Sequence, residues 1–233
     1  MATYTYDDIS KAVNNRLHNK IGKVTDSLAS INTAVKQLWG QVNLRTAKRK
    51  STLSPVLSST LYSYTLPTDV KGFGIIDLVP QLTTTAKPDW SFVPREEFDR
   101  NKTAGKNIIS IDPNATTYKL LISTLTDNTA LGVWDLIYYT KYPWQSSTGV
   151  YKQDATTSTD YLNVDADEYN LVVEQCVEYL GKIVREYEDA KDASNTLNNL
   201  LLPSYQSRYP SEALTYASTY YSFGSIDGDW WTG

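Results

Sequence analysis

The sequence predicts an α+β protein, in which an α-helical bundle carries an inserted antiparallel β-sheet or sandwich module. Apolar residues recur at helical spacing near the start of the 233-residue chain and again beyond residue 165. Between these segments, short runs rich in β-formers are separated by Pro, Asp, Asn and Gly turn signals. Because each amphipathic helix must cover its apolar stripe, we expect the helical segments to pack against one another.

The longest helix is predicted from Asp165 to about Arg185. Asp165 and Glu168 have the spacing of a capping box, in which each side chain accepts a hydrogen bond from the other residue's backbone N–H. The apolar stripe of this helix comprises Leu171, Val172, Cys176, Leu180, Ile183, Val184 and Tyr187. The side chains predicted on the opposite face are Glu174, Glu178 and Lys182.

Two further helices are predicted near the start of the chain. Asp7 or Asp8 is expected to cap the first, and its apolar positions are Ile9, Val13, Leu17 and Ile21. Asp26 is expected to cap the second, and Gly40 to end it. The apolar positions of this second helix are Leu28, Ile31, Val35 and Leu38.

The β module is predicted from its short alternating runs. The expected strands lie at residues 61–66, 73–80, 90–94, 107–111, 118–123 and 131–140, with a helical turn at 95–99. After the long helix, residues 193–202 predict one more helix, which Pro203 breaks or restarts. The predicted domains are a helical bundle (1–55 and 162–208), a β module (56–145), a connecting loop (146–161) and an extended tail (209–233).

The tail is rich in aromatic residues but has no helical period. Tyr220, Tyr221, Trp230 and Trp231 are therefore predicted to dock on a partner, because large aromatic side chains anchor protein interfaces. The alternative is that the same rings pack on their own domain.

The residue types needed for catalysis or metal binding are scarce. Cys176 and His18 are the only residues of their kinds, so they cannot build a Cys/His metal cluster, and the chain cannot form an internal disulfide. His18 is interpreted as a solvated side chain, and neither Gly-rich phosphate-binding motif is present. Two acidic pairs suit a glycosidase but are better explained as helix starts: Glu96/Glu97 and Asp165/Asp167. The sequence therefore predicts neither an enzyme nor a bound cofactor.

Membrane insertion and secretion are also not expected. No run of about 18 apolar residues is present. The first residues lack the basic start and apolar core of a signal peptide, so synthesis in the cytoplasm is expected.

Charge is distributed unevenly along the chain. Residues 1–60 carry a net charge of +6, residues 61–150 of −1 and residues 151–233 of −9. This is either ordinary surface variation, or a sign that the two ends meet different neighbours or each other between subunits. Four positive charges cluster at Arg45, Lys48, Arg49 and Lys50. They predict either a solvated basic turn or a surface that faces phosphates.

Several motifs occur in a familiar order between the N-terminal helices and the long capped helix. They are Tyr64-Thr65-Leu66-Pro67-Thr68-Asp69, Trp90, Arg95-Glu96-Glu97-Phe98, a strand with an Asp-Pro turn, and Leu136-Ile137-Tyr138-Tyr139. Over roughly residues 5–205 this order resembles the head-to-tail adaptor proteins of tailed bacteriophages, the family that includes tail tubular protein A. The Ser/Thr-rich connection from Ser146 to Asp160 and the aromatic tail depart from that pattern.

The resemblance implies a structural protein of the virion neck, made in the host cytoplasm. Such adaptors form a ring, typically of twelve copies, between the portal protein and the tail or nozzle protein. Double-stranded DNA passes through the ring without sequence-specific contacts. The resemblance then implies that the basic turn faces the DNA channel or the portal. The alternative drawn from the 18 Tyr and 6 Trp residues is a receptor- or carbohydrate-binding module of the tail.

Overall fold

The computed structural model describes residues 2–54, 56–58, 61–80, 91–101, 108–112, 118–123 and 133–209. Both helices and sheets are present, which confirms the α+β class. The described helices are α1 (Tyr6–Arg16), α2 (Ser27–Gln41), α3 (Arg95–Asn101), α4 (Ala166–Val184), α5 (Tyr187–Thr196) and α6 (Leu202–Arg208). The described strands are β1 (Ala2–Thr5), β2 (Lys48–Leu53), β3 (Val56–Ser58), β4 (Leu61–Thr65), β5 (Val70–Pro80), β6 (Ser91–Phe92), β7 (Ile108–Asp112), β8 (Lys119–Ser123), β9 (Trp134–Thr140), β10 (Trp144–Gln145), β11 (Tyr151–Lys152) and β12 (Tyr161–Val164).

The chain divides into two compact units. The first combines the residues up to Ala47 with those from Thr140 to the end of α6, and the second runs from Lys48 to Tyr139. Besides helices, the first unit contains an antiparallel sheet in the order β1-β12-β10-β11. This sheet was not predicted, because strands of two to four residues are too short to show an alternating pattern.

Helix α4 is the centre of the first unit and packs against α1, α2 and α5. Its side chains from Leu171 to Val177 are all buried, whereas Ile183 and Tyr187 of the predicted apolar stripe are exposed. The prediction that Glu174 lies on a solvent face is wrong, since Glu174 is buried and both of its carboxylate oxygens accept from the Arg16 guanidinium. Because α1 packs on this side of α4, a residue from α1 supplies the partner that a buried carboxylate requires.

The two N-terminal helices begin with capped ends. Thr5 caps α1 instead of the predicted Asp7 or Asp8, because β1 keeps the backbone extended up to Thr5. The Thr5 Oγ1 accepts from the Asp8 N–H at 3.1 Å, and the Asp8 carboxylate accepts from the Thr5 N–H at 2.9 Å. Asp26 caps α2 as predicted, by accepting from the Ala29 N–H at 2.9 Å.

The second unit contains two sheets and α3. Its three-stranded sheet has the order β2-β9-β5, and its five-stranded sheet has the order β3-β4-β8-β7-β6. The short β6–β7 pair is parallel, in contrast to the predicted antiparallel pairing. A buried apolar cluster draws residues from both sheets, so one core supports them together. Its members are Leu53, Tyr64, Leu66, Val70, Ile109, Leu120, Ile122, Trp134, Leu136 and Tyr138.

The end of the described chain contains an irregular turn between two helices. Residues 197–201, which lie between α5 and α6, form a π-helical turn in which the Leu202 N–H donates to the Leu197 carbonyl five residues earlier. Pro203 follows at the start of α6. In a helix interior, proline removes a hydrogen bond and its ring clashes with the carbonyl four residues back. In the first turn the N–H would have no partner within the helix, so proline is tolerated there.

Candidate functional site

The start of α4 holds a buried carboxylate, that of Glu168, which is 0% exposed. The Glu168 N–H donates to Asp165 Oδ1 at 2.9 Å, and the Asp165 N–H donates to Glu168 Oε2 at 3.2 Å. Both halves of the expected capping box are therefore formed. A buried carboxylate is stable only when hydrogen-bond donors replace its lost water, so the remaining contacts of Glu168 determine its role.

Those contacts come from two distant parts of the chain. The Thr46 N–H donates to Glu168 Oε1 at 3.1 Å, and the Thr46 hydroxyl donates to Glu168 Oε2. The Tyr205 hydroxyl donates to Oε1 at 2.8 Å. Each carboxylate oxygen thus accepts two hydrogen bonds, which fills the acceptor capacity of the group. Through these hydrogen bonds Glu168 joins three chain segments.

Arg45 completes this arrangement. Its guanidinium lies 2.7 Å from Asp165 Oδ2, and its backbone N–H donates to the Tyr205 hydroxyl oxygen at 2.7 Å. The Tyr205 hydroxyl therefore accepts from Arg45 while it donates to Glu168. Burial and the charge of Glu168 together raise the pKa of Tyr205 above its ordinary value, so this hydroxyl keeps its proton. We call Arg45, Thr46, Asp165, Glu168 and Tyr205 the Glu168 junction.

A small crevice lies beside the junction. Its volume is about 50 Å³, enough for a few water molecules but far below the several hundred Å³ typical of pockets for organic ligands. Its lining residues are Asp167, Asn170, Leu201, Ser204, Tyr205 and Arg208. Within this lining, the Arg208 guanidinium binds the Asp167 carboxylate. Each carboxylate of the acidic pair Asp165/Asp167 therefore forms an ion pair with an arginine, as is typical of carboxylates that stabilise a fold.

The predicted basic turn has a different conformation from the one expected. Arg45 belongs to a single 3₁₀ turn in the first unit, whereas Lys48, Arg49 and Lys50 belong to strand β2 of the second. Because side chains alternate along a strand, Lys48 and Lys50 are exposed while Arg49 is half-buried. The positive charges do not share one turn, and the expected role of Arg45, Lys48, Arg49 and Lys50 at a DNA channel or portal surface stays a prediction.

The three basic residues of β2 have distinct surroundings. Lys50 Nζ lies 2.7 Å from Asp135 Oδ2, and Lys48 Nζ lies 6.0 Å from the centre of the Tyr139 ring. Burial lowers the pKa of Arg49 to about 10, against the opposing influence of Asp69 and Tyr138. A guanidinium with this pKa keeps its charge at neutral pH.

The remaining candidates for chemistry do not form a site. His18 is exposed, with Nε2 lying 3.4 Å from Asp189 Oδ2. Cys176 is fully buried, and burial raises the pKa of its thiol to about 12, so it is poorly nucleophilic. Among the described residues, no group of three or more His, Cys, Asp or Glu side chains is placed to hold a metal ion. The aromatic residues Tyr220, Tyr221, Trp230 and Trp231 lie outside the described residues.

The uneven charge of the chain is partly explained by pairing within the first unit. Basic residues near the N-terminus meet acidic residues of the last third of the chain, and these pairs are Arg16–Glu174, Lys20–Glu186, Lys36–Asp154 and Arg45–Asp165. The N-terminal and C-terminal segments therefore partly neutralise each other within one chain.

Sequence reasoning missed Thr46 and Tyr205 as members of the junction. One signal was present: Glu168 precedes Leu171 and Val172 by three and four residues, so it lies on the apolar face of α4. An acid on a buried helical face requires donors, but the sequence does not say which residues supply them. Within the part of the chain that is described, no helix has the length and apolar character needed to cross a membrane. No protein-family model matches the sequence, and comparison with curated proteins found no match.

Proposed function

We propose that this protein is a non-catalytic head-to-tail adaptor of a tailed bacteriophage. In this proposal it forms a ring, of about twelve copies, between the portal and the tail or nozzle protein in the virion neck. The observation that carries the proposal is the chain order of two N-terminal helices, a β-rich segment and then a long capped helix. The motifs that resemble the adaptor family occur in the same order along the sequence.

The finer architecture belongs to the same proposal. We infer a helical bundle of α1, α2, α4 and α5 that carries the β-rich unit as an inserted sandwich. The packing of α4 against the other three helices supports the bundle, and the apolar cluster shared by the two sheets supports the sandwich.

The absence of catalysis is supported by the way the candidate acids are used. Glu168 has no lone pair left, and Asp165 caps α4 while it binds Arg45. Asp167 binds Arg208. Carboxylates engaged in this way stabilise the fold, whereas a hydrolytic pair must face a cleft that admits substrate.

Assembly provides the first test. The purified chain is expected to form a ring, alone or with portal protein, and to be present in the necks of intact virus particles. Light scattering gives the mass of the species in solution, and electron microscopy shows the ring and its position. A lone monomer that binds or cleaves a glycan, and is missing from virus necks, would rule out the adaptor and favour the carbohydrate-binding alternative.

DNA contact provides a second test, because the proposal places Lys48 and Lys50 toward phosphates. The double variant K48Q/K50Q is expected to weaken binding to duplex DNA of any sequence and to lower the slope of log K against log salt concentration by about 2. The matched control K182Q/K191Q removes two exposed charges of the first unit and is expected to leave that slope unchanged. Equal slopes for both variants would exclude the β2 lysines from the DNA-facing surface.

The described tryptophans do not favour the carbohydrate-binding alternative. Trp39, Trp134 and Trp144 are all buried. A sugar platform needs exposed aromatic faces, so these three rings serve the core.

A further inference from the structure

Helix α6 is held to the rest of the first unit by the buried Tyr205 side chain and by polar contacts. It has seven residues, and Tyr205 is its one buried side chain. A peptide of this length does not form a stable helix alone, so its attachment determines whether it stays folded. That attachment includes the Tyr205 hydroxyl, which bridges Glu168 and the Arg45 N–H, and the pair between Arg208 and Asp167. The Tyr205 ring is also buried, and the Arg45 guanidinium lies 5.0 Å from the centre of the Tyr209 ring.

We propose that α6 is a releasable strap, which opens about the π-helical turn at residues 197–201 while α4 and α5 stay folded. In the closed state the strap covers the start of α4 and holds the backbone at Arg45. The Tyr205 hydroxyl is the contact that sets the closed population. This inference does not depend on the proposed function.

The contacts of Glu168 make such an opening feasible. When Tyr205 leaves, Glu168 keeps the two donors of Thr46 and the Asp165 N–H, and water can replace the fourth donor. The carboxylate is therefore never left buried without partners, which would be the main obstacle to opening. Release of α5 is different, because it would break the packing of α5 on α4, where Ala190 lies directly against Gly181.

The geometry also supplies a reporter far from the strap in sequence. The Arg45 N–H donates to the strap, through Tyr205, whereas the Thr46 N–H donates to Glu168, which stays in place. Opening the strap therefore removes the acceptor of the Arg45 amide and leaves that of the Thr46 amide. Two adjacent amides should then respond differently to the same event.

Native-state hydrogen exchange on the full chain, followed by NMR, tests the strap directly. The amides of α6 and the amide of Arg45 are expected to share one opening equilibrium and to exchange at least tenfold faster than those of α5. The Thr46 amide should keep its protection. Exchange of the α6 amides together with those of α5, or an Arg45 amide that does not follow α6, would overturn the proposal.

A hydroxyl deletion then tests the role of Tyr205. Tyr205→Phe keeps the ring but removes the bridge, and it is expected to accelerate exchange in α6 and at Arg45 at least tenfold further, without change in α5. Tyr209→Phe is the matched control, because it also removes one tyrosine hydroxyl, from a ring whose centre lies 4.9 Å from that of Tyr205. Unchanged exchange in Tyr205→Phe, or equal acceleration throughout α4 and α5, would show that this hydroxyl does not hold a strap.

Discussion

Asp160 is a buried carboxylate whose contacts are mostly local. It is 1% exposed, and burial opposes its ionisation. The N–H groups of Thr156 and Thr157 donate to it at 2.6 and 3.0 Å, and Lys152 Nζ donates at 2.9 Å. These donors outweigh burial and lower the pKa of Asp160 from 3.8 to about 2. The loop predicted at residues 146–161 is thereby held in a defined conformation.

This pKa predicts a particular acid dependence of stability. Because the folded pKa lies below the unfolded value, the stabilisation is fully present above about pH 4 and is lost as the pH falls toward 2. Its size is about 2 kcal/mol, from roughly 1.4 kcal/mol per pKa unit. Asp160→Asn should lower the free energy of unfolding by about this amount at pH 7 and flatten its pH dependence between pH 4 and 2, as measured by urea denaturation.

Asp154→Asn is the control for that experiment. Asp154 pairs with Lys36 at 2.9 Å, but its side chain is 42% exposed. An exposed ion pair contributes well under about 1 kcal/mol, so this variant should follow the wild-type pH dependence. If the two variants behaved alike, the hydrogen-bond donors around Asp160 would not be the cause of its effect.

Single residues also show how far sequence reasoning extends. The Asp165–Glu168 cap was predictable, since both partners lie within one helical turn and the pattern is local. Thr46 and Tyr205 reach the same carboxylate from 122 and 37 residues away, and no local pattern encodes those contacts. Asn32 is similar, because its amide side chain exchanges two hydrogen bonds of 2.9 Å with the backbone of Ala155.

Among the elements, α4 and α5 pack tightly against each other. Gly181 lies where a Cβ atom would be 3.0 Å from the Ala190 Cβ and 3.2 Å from the Glu186 carbonyl oxygen. The connection is equally tight, with Arg185 in the left-handed conformation at φ 65°. The hairpin therefore depends on a small residue at position 181.

Substitution of Gly181 by Ala has two opposing effects on stability, one from helix propensity and one from overpacking. In an exposed helix, Gly→Ala stabilises by about 1 kcal/mol. At this contact, overpacking costs about 1–3 kcal/mol, so Gly181→Ala is expected to be destabilising overall. Thermal or urea unfolding measures the change in the free energy of unfolding.

Ala190→Gly supplies the compensating partner, because it removes the nearest atom. The double variant should be more stable than the sum of the two single effects predicts, by about 0.5 kcal/mol or more. Strict additivity would mean that the two positions do not meet.

Sequence patterns predicted the long helices better than they predicted strand β2. Helices α1, α2 and α4 were predictable because their apolar positions repeat over 11 to 19 residues. The helix predicted at residues 193–202 is wrong in its bounds, since those residues span the end of α5 and the π-helical turn. Strand β2 was not predictable, because Lys48, Arg49 and Lys50 present a run of charge instead of an alternation of apolar and polar residues. Its partner β9 determines its conformation, through a ladder from Lys48↔Tyr139 to Leu53↔Trp134.

For the whole molecule, the same ladder defines how the chain enters and leaves the second unit. Lys48 and Tyr139, its first and last residues, are directly paired. The Cα atoms of such antiparallel partners are about 5 Å apart, so the second unit begins and ends at neighbouring points. A short linker can therefore join Ala47 to Thr140.

Replacement of residues 48–139 by Gly-Ser-Gly is expected to leave the first unit folded. Far-ultraviolet circular dichroism should show a helix-rich chain, and the Cys176 thiol should stay unreactive until denaturant is added, because it is buried in α4. A chain that reacts at once in native buffer, or that unfolds without cooperativity, would show that the first unit needs the second.

The discontinuous first unit has a consequence for biosynthesis. Its N-terminal helices leave the ribosome long before the segment that contains Glu174 and Glu186, the partners of Arg16 and Lys20. At about 5–20 residues per second, synthesis from Ala47 to Tyr205 takes roughly ten to thirty seconds. Synthesis of the second unit, residues 48–139, is complete during this interval. The second unit can therefore fold first, although α1 and α2 are synthesised earlier, because these two helices must wait for α4.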